Sequence, residues 1–136
     1  MSQQMHDAVW NGDVAMIESL IAEGEDPNVI DQQSGWSGLM LAAENGQAES
    51  MMQLLGRGAD AKYAMSDGWT ALHHAVDSEC DAEAQTGQPA DGRLVKLLIA
   101  AGADPNAVWM SSTGSATPRS LAARYRCQIV QSSLDG

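Results

Sequence analysis

Between positions 73 and 83 the chain gathers side-chain types that often carry enzymatic chemistry. His73 and His74 are followed by Cys80, and carboxylates alternate along the same stretch. An imidazole that takes the proton of a thiol creates a nucleophile, so His74 and Cys80 are the candidates for covalent catalysis. No nucleophile motif surrounds either residue, and no acid has an evident catalytic partner. We therefore predict that the protein is not an enzyme, and catalysis in this segment is kept as the lesser alternative.

The alternating carboxylates also suggest a calcium site. They are Asp77, Glu79, Asp81 and Glu83. A twelve-residue calcium loop requires a glycine at its sixth position and a glutamate at its twelfth. Counted from Asp77, these positions hold Ala82 and Gln88, so the motif is rejected. We predict no metal or cofactor, and two interpretations of these acids stay open: contact with a basic partner, or a solvated loop without a role.

Charge is distributed unevenly along the 136 residues. The formal net charge is −11, and residues 1–56 hold nine acidic residues but no lysine or arginine. Nucleic acids are bound by basic patches, so this composition argues against nucleic-acid binding. It suits a basic protein partner, because a field of one sign steers encounter. Acidity also simply keeps a small protein in solution, and the charge alone does not separate the two.

No segment of the sequence has the pattern of a membrane span or a signal peptide. The longest apolar runs, such as that at 97–101, are far too short to cross a bilayer. Cys80 and Cys127 lie far apart in dissimilar contexts, which favours free thiols in a reducing compartment. We therefore expect a cytoplasmic protein without a membrane partner, and we take it to be a monomer when free.

Recurring phrases predict the elements that position these side chains. The stretch 35–43 (GWSGLMLAA) returns 33 residues later at 68–76 (GWTALHHAV). A second phrase occurs as GEDPN at 24–28, GADAK at 58–62 and GADPN at 102–106. Apolar residues at helical spacing precede the glycine of each second phrase, and that glycine suits a left-handed helix C-cap. Each unit is thus predicted to be helix, turn, helix and loop, and this period is typical of stacked repeats.

These phrases closely resemble the ankyrin repeat, whose pattern runs T-P-L-H-x-A and later G-A-D-x-N. The best matches are TALHHA at 70–75 and GADPN at 102–106. The resemblance implies an all-α fold: one domain that is an α-solenoid of about four helix–turn–helix repeats joined by loops and β-turns. The repeats are expected at 3–30, 31–64, 65–108 (with an insertion near 77–91) and 109–136, the last being a C-terminal cap.

The departures from the ankyrin pattern give further expectations. The polar insertion is interpreted as a protruding loop, with extension of the first helix into it as a variant of that interpretation. Arg119 takes a position that the family normally gives to a buried leucine, which leaves the packing of the last repeat open. His6 and His73 match the histidine of T-P-L-H, so the resemblance implies hydrogen bonding within and between repeats for both.

The resemblance also places bulky side chains at the binding groove of the solenoid. Trp36 and Trp69 directly follow the turn glycines, at a position that varies among ankyrin proteins and faces their concave surface. We predict that they anchor a protein partner. The other predicted anchors are Met65, Trp109, Trp10 and Tyr125. The alternative is that Trp36 and Trp69 pack across neighbouring loops and only stiffen the stack.

Together these observations predict non-enzymatic protein binding, steered by the acids of the N-terminal half and of the insertion. A small acidic protein of this kind is similar to ankyrin proteins that occur singly in bacteria. On that analogy it is an immunity protein (antitoxin) that occludes a basic toxin or enzyme. The alternative is a general adaptor or regulatory scaffold with several weak protein partners. Self-association through the same face is a third possibility.

Overall fold

The computed structural model describes residues 1–135, which form four successive helix pairs. The first helices are α1 (Gln3–Asn11), α3 (Gly38–Glu44), α5 (Ala71–Thr86) and α7 (Pro118–Tyr125). The second helices are α2 (Val14–Ala22), α4 (Ala48–Gly56), α6 (Arg93–Ala100) and α8 (Gln128–Leu134). An antiparallel hairpin of β1 (Trp109–Ser111) and β2 (Gly114–Ala116) precedes α7. First helices contact first helices and second helices contact second helices, so the pairs stack in two layers.

Hydroxyl side chains begin the first helices. Ser37, Thr70 and Thr117 each accept a hydrogen bond from the backbone N–H three residues further on. In α5 and α7 the residue at that third position also bonds back to the cap, which completes a capping box. These bonds satisfy N–H groups that a helix end leaves without an intrahelical partner. The start of each of these helices is therefore determined locally.

Small residues and branched residues share the core between the layers. Ala42, Ala75 and Ala122 are completely buried and let the first helices approach closely. The largest fully buried side chains include Met5, Ile17, Met40, Met51, Leu54, Leu72 and Leu98. Each contributes roughly 1.5–3 kcal/mol relative to an exposed position. These side chains lie between neighbouring pairs, so stacking is what removes them from water.

The loops after the second helices are linked through the recurring asparagine. Asn28 donates from Nδ2 to the carbonyl oxygen of Gly58 (3.2 Å), and its Oδ1 accepts from the N–H of Asp60 (2.6 Å). Asn106 accepts from Nε of Arg119 (3.0 Å) in α7. Arg119 is exposed and also pairs with Asp135 beyond α8. An arginine therefore fits this position, because it ties the last pair together from outside the core.

The insertion is helical for most of its length, as the variant interpretation with an extended first helix expected, and it is a loop only near its end. Helix α5 continues through Thr86 and ends at Gly87, whose φ of 75° is left-handed. Residues 87–92 remain as a loop before α6. The extension buries Cys80 and places Asp77 against Tyr125 of α7. The segment is helical because side chains along it find partners on α6, α7 and α8, which its polar sequence did not reveal.

Candidate functional site

Aromatic rings from three successive turns meet along the first helices. Trp36 lies edge-on to His74, with ring centroids 4.5 Å apart. Trp69 stacks on His73 at 4.7 Å and meets His74 at 5.6 Å. Trp109 contacts Trp69 edge-on at 5.4 Å. We call these five residues the aromatic ladder. Such pairs add about 0.5–1.5 kcal/mol each beyond the area they bury.

Tight turns hold the indoles of the ladder in place. Gly35 and Gly68 adopt φ values of 78° and 94°, a left-handed conformation that favours glycine. Trp109 donates from Nε1 to the carboxylate of Asp67 (3.0 Å), and Met110 N–H donates to the carbonyl oxygen of Asp67 (2.9 Å). The hairpin is thereby fastened to the turn of the preceding pair, and the ladder continues across that boundary.

The predicted anchors differ in accessibility. Trp10 exposes 41% of its surface. The other anchors are half-buried and pack against the core: Trp36, Met65, Trp69, Trp109 and Tyr125. Each of these side chains thus keeps only part of its surface accessible, and their role as anchors stays a prediction. The hydroxyl of Tyr125 donates to Asp77 (2.7 Å) on α5, and Tyr125 makes no ring contact with the ladder among residues 1–135.

His73 links two helix pairs as a neutral imidazole. Its Nδ1 accepts the backbone N–H of Thr70 (3.1 Å), so its Nε2 carries the proton and donates to the carbonyl oxygen of Ala116 (3.2 Å). Burial lowers the pKa of His73, which keeps the ring neutral. This geometry agrees with the intra- and inter-repeat role that the resemblance implied, and it leaves the imidazole no free proton acceptor for catalysis.

His74 lies between two indoles and a carboxylate. Its Nδ1 is 2.9 Å from Oε2 of Glu44, and its Nε2 is buried without a hydrogen-bond partner in residues 1–135. Burial lowers the pKa of His74, and the nearby Glu44 opposes that shift. The pairing of Glu44 with His74 was not predicted, because the two residues are 30 positions apart on different helices.

The four acids of α5 do not form a solvated loop or a single face. All four are half-buried. Asp77 accepts from Tyr125, Asp81 accepts from Gln85 (2.7 Å), and Glu79 Oε1 accepts from the N–H of Leu94 (2.7 Å). On a helix, residues two positions apart point in different directions. Asp77 and Glu79 therefore join α5 to α7 and α6, whereas the bond of Asp81 stays within α5. The shared role of the four acids as a steering group stays a prediction.

Glu79 is expected to make stability depend on pH. Burial raises the pKa of its carboxyl to about 7 from the ordinary 4.5, against the lowering effect of the Leu94 N–H. The folded state thus holds a proton that the unfolded state releases, so stability decreases as pH rises between those values. Urea unfolding is measured for wild type and Glu79→Gln at several pH values. As pH rises, the free energy of unfolding should decrease by about 1–2 kcal/mol in wild type and stay unchanged in Glu79→Gln. Glu23→Gln, at an exposed site, is the control; an equal slope in Glu79→Gln would contradict the assignment.

Cys80 and Cys127 lie next to each other, contrary to their separation in sequence. Both are free and 1% exposed. Burial is the main cause that raises the pKa of both thiols. Cys127 raises the pKa of Cys80 further, whereas the hydrogen bond with Cys80 lowers that of Cys127 in part. A thiol with a raised pKa is a poor nucleophile. Cys80 is thus in the wrong state for the covalent chemistry considered as the lesser alternative.

We expect both thiols to be unreactive while the protein is folded. Alkylation by iodoacetamide at pH 8, followed by mass spectrometry, should be more than about 100-fold slower than at an exposed thiol. Ser34→Cys supplies that exposed reference within the same chain. Rapid modification of either native cysteine would show that α5 and α8 open readily or that a thiolate is stabilised.

Two kinds of site are not found in residues 1–135. No group of three His, Cys, Asp or Glu side chains there could hold a metal ion. No helix in that range has the length and apolar character to cross a membrane. The aromatic ladder and the surface around it are therefore the candidate functional site.

Comparison with known proteins decides the family. The model for ankyrin repeats (3 copies) matches residues 5–108. The chain belongs to the ankyrin repeat family. The match spans the first three helix pairs, and the helical stack is the α-solenoid that the resemblance implied. The ankyrin fold is generally non-catalytic and mediates contact between proteins.

Similar proteins share the ankyrin segment with this chain and little else of their length. "Ankyrin repeat and SAM domain-containing protein 6" of Danio rerio is 39% identical over 51% of this chain and 9% of its own. "Glycerophosphocholine phosphodiesterase gde1" of Schizosaccharomyces pombe is 33% identical over 53% of this chain and 6% of its own. "Actin-binding protein Smlt3054" of Stenotrophomonas maltophilia is 30% identical over 55% of this chain and 28% of its own. The enzyme name among them belongs to a protein that is matched only over its repeats.

Proposed function

We propose that this ankyrin repeat protein binds a basic protein through the aromatic ladder and the turns beside it, without catalysis. The observation that carries the proposal is the ladder itself: three partly accessible indoles, of which Trp69 contacts Trp109 directly and Trp36 through His74. Indoles that keep accessible area are typical interface anchors. The acidic residues of 1–56 would steer the encounter.

In the form we favour, the protein acts by steric occlusion, as an immunity protein covering a basic toxin or enzyme. The excess of acid supports this form, because charge complementarity accelerates association with a cationic surface. The bacterial relative is named as an actin-binding protein, which supports a protein as the ligand class. The helix pair after residue 108 would serve as the C-terminal capping repeat.

A second candidate is a general adaptor with several weak partners. The relatives support it, because the segments that match this chain are only 6% and 9% of much longer proteins. The two candidates differ in the number and strength of partners, and the same face would serve both.

The test compares wild type with Trp36→Ala/Trp69→Ala as bait in pull-downs, with partner affinities then measured by calorimetry. We expect the binding free energy of the double variant to be about 2–4 kcal/mol less favourable than that of wild type. Met16→Ala/Met52→Ala removes exposed apolar surface from the second helices and is the matched control. Circular dichroism must show that both variants are folded. One tight basic partner supports the immunity form and many weak partners the adaptor; a partner bound equally by the tryptophan variant would refute the surface.

A further inference from the structure

A cavity opens at the N-terminal end of the ladder, between α1 and the turn that precedes α3. Its volume is about 170 Å³, and Trp10, Trp36, Leu41, His6 and Asp31 are among the residues that line it. We call it the N-terminal pocket. The turn holds its wall in place, since Asp31 N–H donates to the carbonyl oxygen of Trp36 (2.9 Å) and Gly35 N–H donates to that of Asp31 (2.7 Å).

Two indoles give the N-terminal pocket an aromatic wall that is open to an incoming group. Trp10 is 41% exposed and lies beside the imidazole of His6, with ring centroids 6.2 Å apart and planes within 10°. Trp36 is half-buried, and Leu41 is 4% exposed. The faces of indoles attract cations through the ring quadrupole, and the attraction grows when water is excluded.

Asp31 places a carboxylate on the same pocket. Its side chain accepts from the N–H of Gln33 (3.0 Å), and this bond chiefly lowers its pKa, so the group is ionised. No ion pair within residues 1–135 involves Asp31. The amino group of Met1, also at the pocket, donates to the carbonyl oxygen of Ile30 (3.3 Å). The carboxylate therefore has acceptor capacity left for a charged donor.

The positive groups at the pocket are not lysines or arginines: the amino group of Met1 and the imidazole of His6 line it, and both contribute to lowering the pKa of Asp31. No lysine or arginine occurs in residues 1–56, which form both walls of the pocket and include nine acids. The first basic side chain, Arg57, is bound to Glu18 (2.6 Å). An anion would be repelled by the carboxylate of Asp31, and a neutral apolar group would use none of the acceptor capacity that Gln33 N–H leaves free.

We infer that the N-terminal pocket binds an arginine side chain of the partner, with the guanidinium against Trp10 and Trp36 and its N–H groups donated to Asp31. Arginine fits better than lysine because its planar, weakly hydrated cation both stacks on aromatic rings and offers several donors to a carboxylate. This inference rests on the proposed function, which it deepens by naming the chemistry of one contact.

The test uses a small probe and no partner. Uniformly ¹⁵N-labelled protein is titrated with N-acetyl-arginine amide, and with the citrulline analogue, which has nearly the same shape but no charge. We expect the arginine probe to shift the indole N–H signals of Trp10 and Trp36, with an affinity at least about fivefold higher than that of citrulline. The signals of Trp69 and Trp109 should stay in place.

Two substitutions assign the effect. Asp31→Asn keeps an acceptor for Gln33 N–H and removes the charge, so it should weaken the arginine probe about fivefold or more. Asp60→Asn makes the same change in a similar exposed turn, where Asp60 accepts from Lys62 N–H (2.9 Å), and should stay within about twofold of wild type. Equal affinity for the two probes, or an unchanged affinity in Asp31→Asn, would overturn the inference. Because Trp36 belongs to both the ladder and the N-terminal pocket, retention of a partner by the tryptophan double variant would count against both proposals. The titrations of Asp31→Asn test the pocket alone, since Asp31 is not part of the ladder.

Discussion

Gly68→Ala is expected to lower the free energy of unfolding by about 3–5 kcal/mol, the combined cost of a left-handed alanine and a forced backbone shift. Gly68 has a φ of 94°, and a Cβ added there would lie 2.1 Å from the carbonyl oxygen of Val108. That oxygen belongs to the backbone leading into the hairpin, so no side chain can rotate away. Urea denaturation followed by tryptophan fluorescence measures the loss.

Gly58→Ala isolates the steric part of this effect. Gly58 has nearly the same φ, 95°, but a Cβ there would have nothing within 4 Å. We expect Gly58→Ala to lower the free energy of unfolding by about 1–2 kcal/mol, which is the cost of a left-handed alanine without a steric clash. If both substitutions cost the same, the hairpin does not lie against the turn at Gly68 in solution, and Trp109 is not held at the end of the ladder.

His73→Ala is the second large effect, with an expected loss of about 3–5 kcal/mol from a cavity and unpaired polar groups. His73 is 0% exposed. The substitution removes the acceptor for Thr70 N–H and the donor to the carbonyl oxygen of Ala116. Because the second bond joins α5 to the hairpin, the C-terminal pair should unfold at lower urea than the rest. Hydrogen exchange resolved by peptide would show this order.

Ser120→Ala is the matched control for the local part of that loss. Ser120 makes the same capping contact in α7, accepting from Thr117 N–H (2.8 Å), but is exposed. We expect a cost of only about 0.5–1 kcal/mol. A similar cost at both sites would mean that His73 acts as a cap alone.

The pH profile gives an independent check on His73. Its pKa is below the ordinary 6.5 because of burial, so the unfolded state takes up a proton that the folded state does not. Stability should therefore fall as pH decreases below about 6.5, opposite in sign to the contribution of Glu79. In His73→Ala the free energy of unfolding should decrease less steeply with falling pH than in wild type. Part of the decrease should remain, because the pKa of His74 is also lowered.

The conformation of the insertion could not be predicted from the sequence. Its residues are polar and its turn residues come late, which is compatible with a loop or with a longer helix. Helix α5 extends because Glu79 reaches the start of α6 and Asp77 reaches Tyr125, and both contacts join residues 15 or more positions apart. The same holds for Cys80 and Cys127, which become neighbours only when α8 packs against α5.

The repeat unit of this protein follows from local features of the chain. Caps such as Thr70, turn glycines such as Gly68 and apolar spacing act within one or two turns of chain, so they can be read directly. Three features could not be read from local sequence: the accessible fraction of each tryptophan, the position of His73 and His74 among the indoles, and the pocket that Trp10, Trp36 and Asp31 line. These outcomes depend on how successive repeats stack, and each is set by contacts between residues distant in the chain.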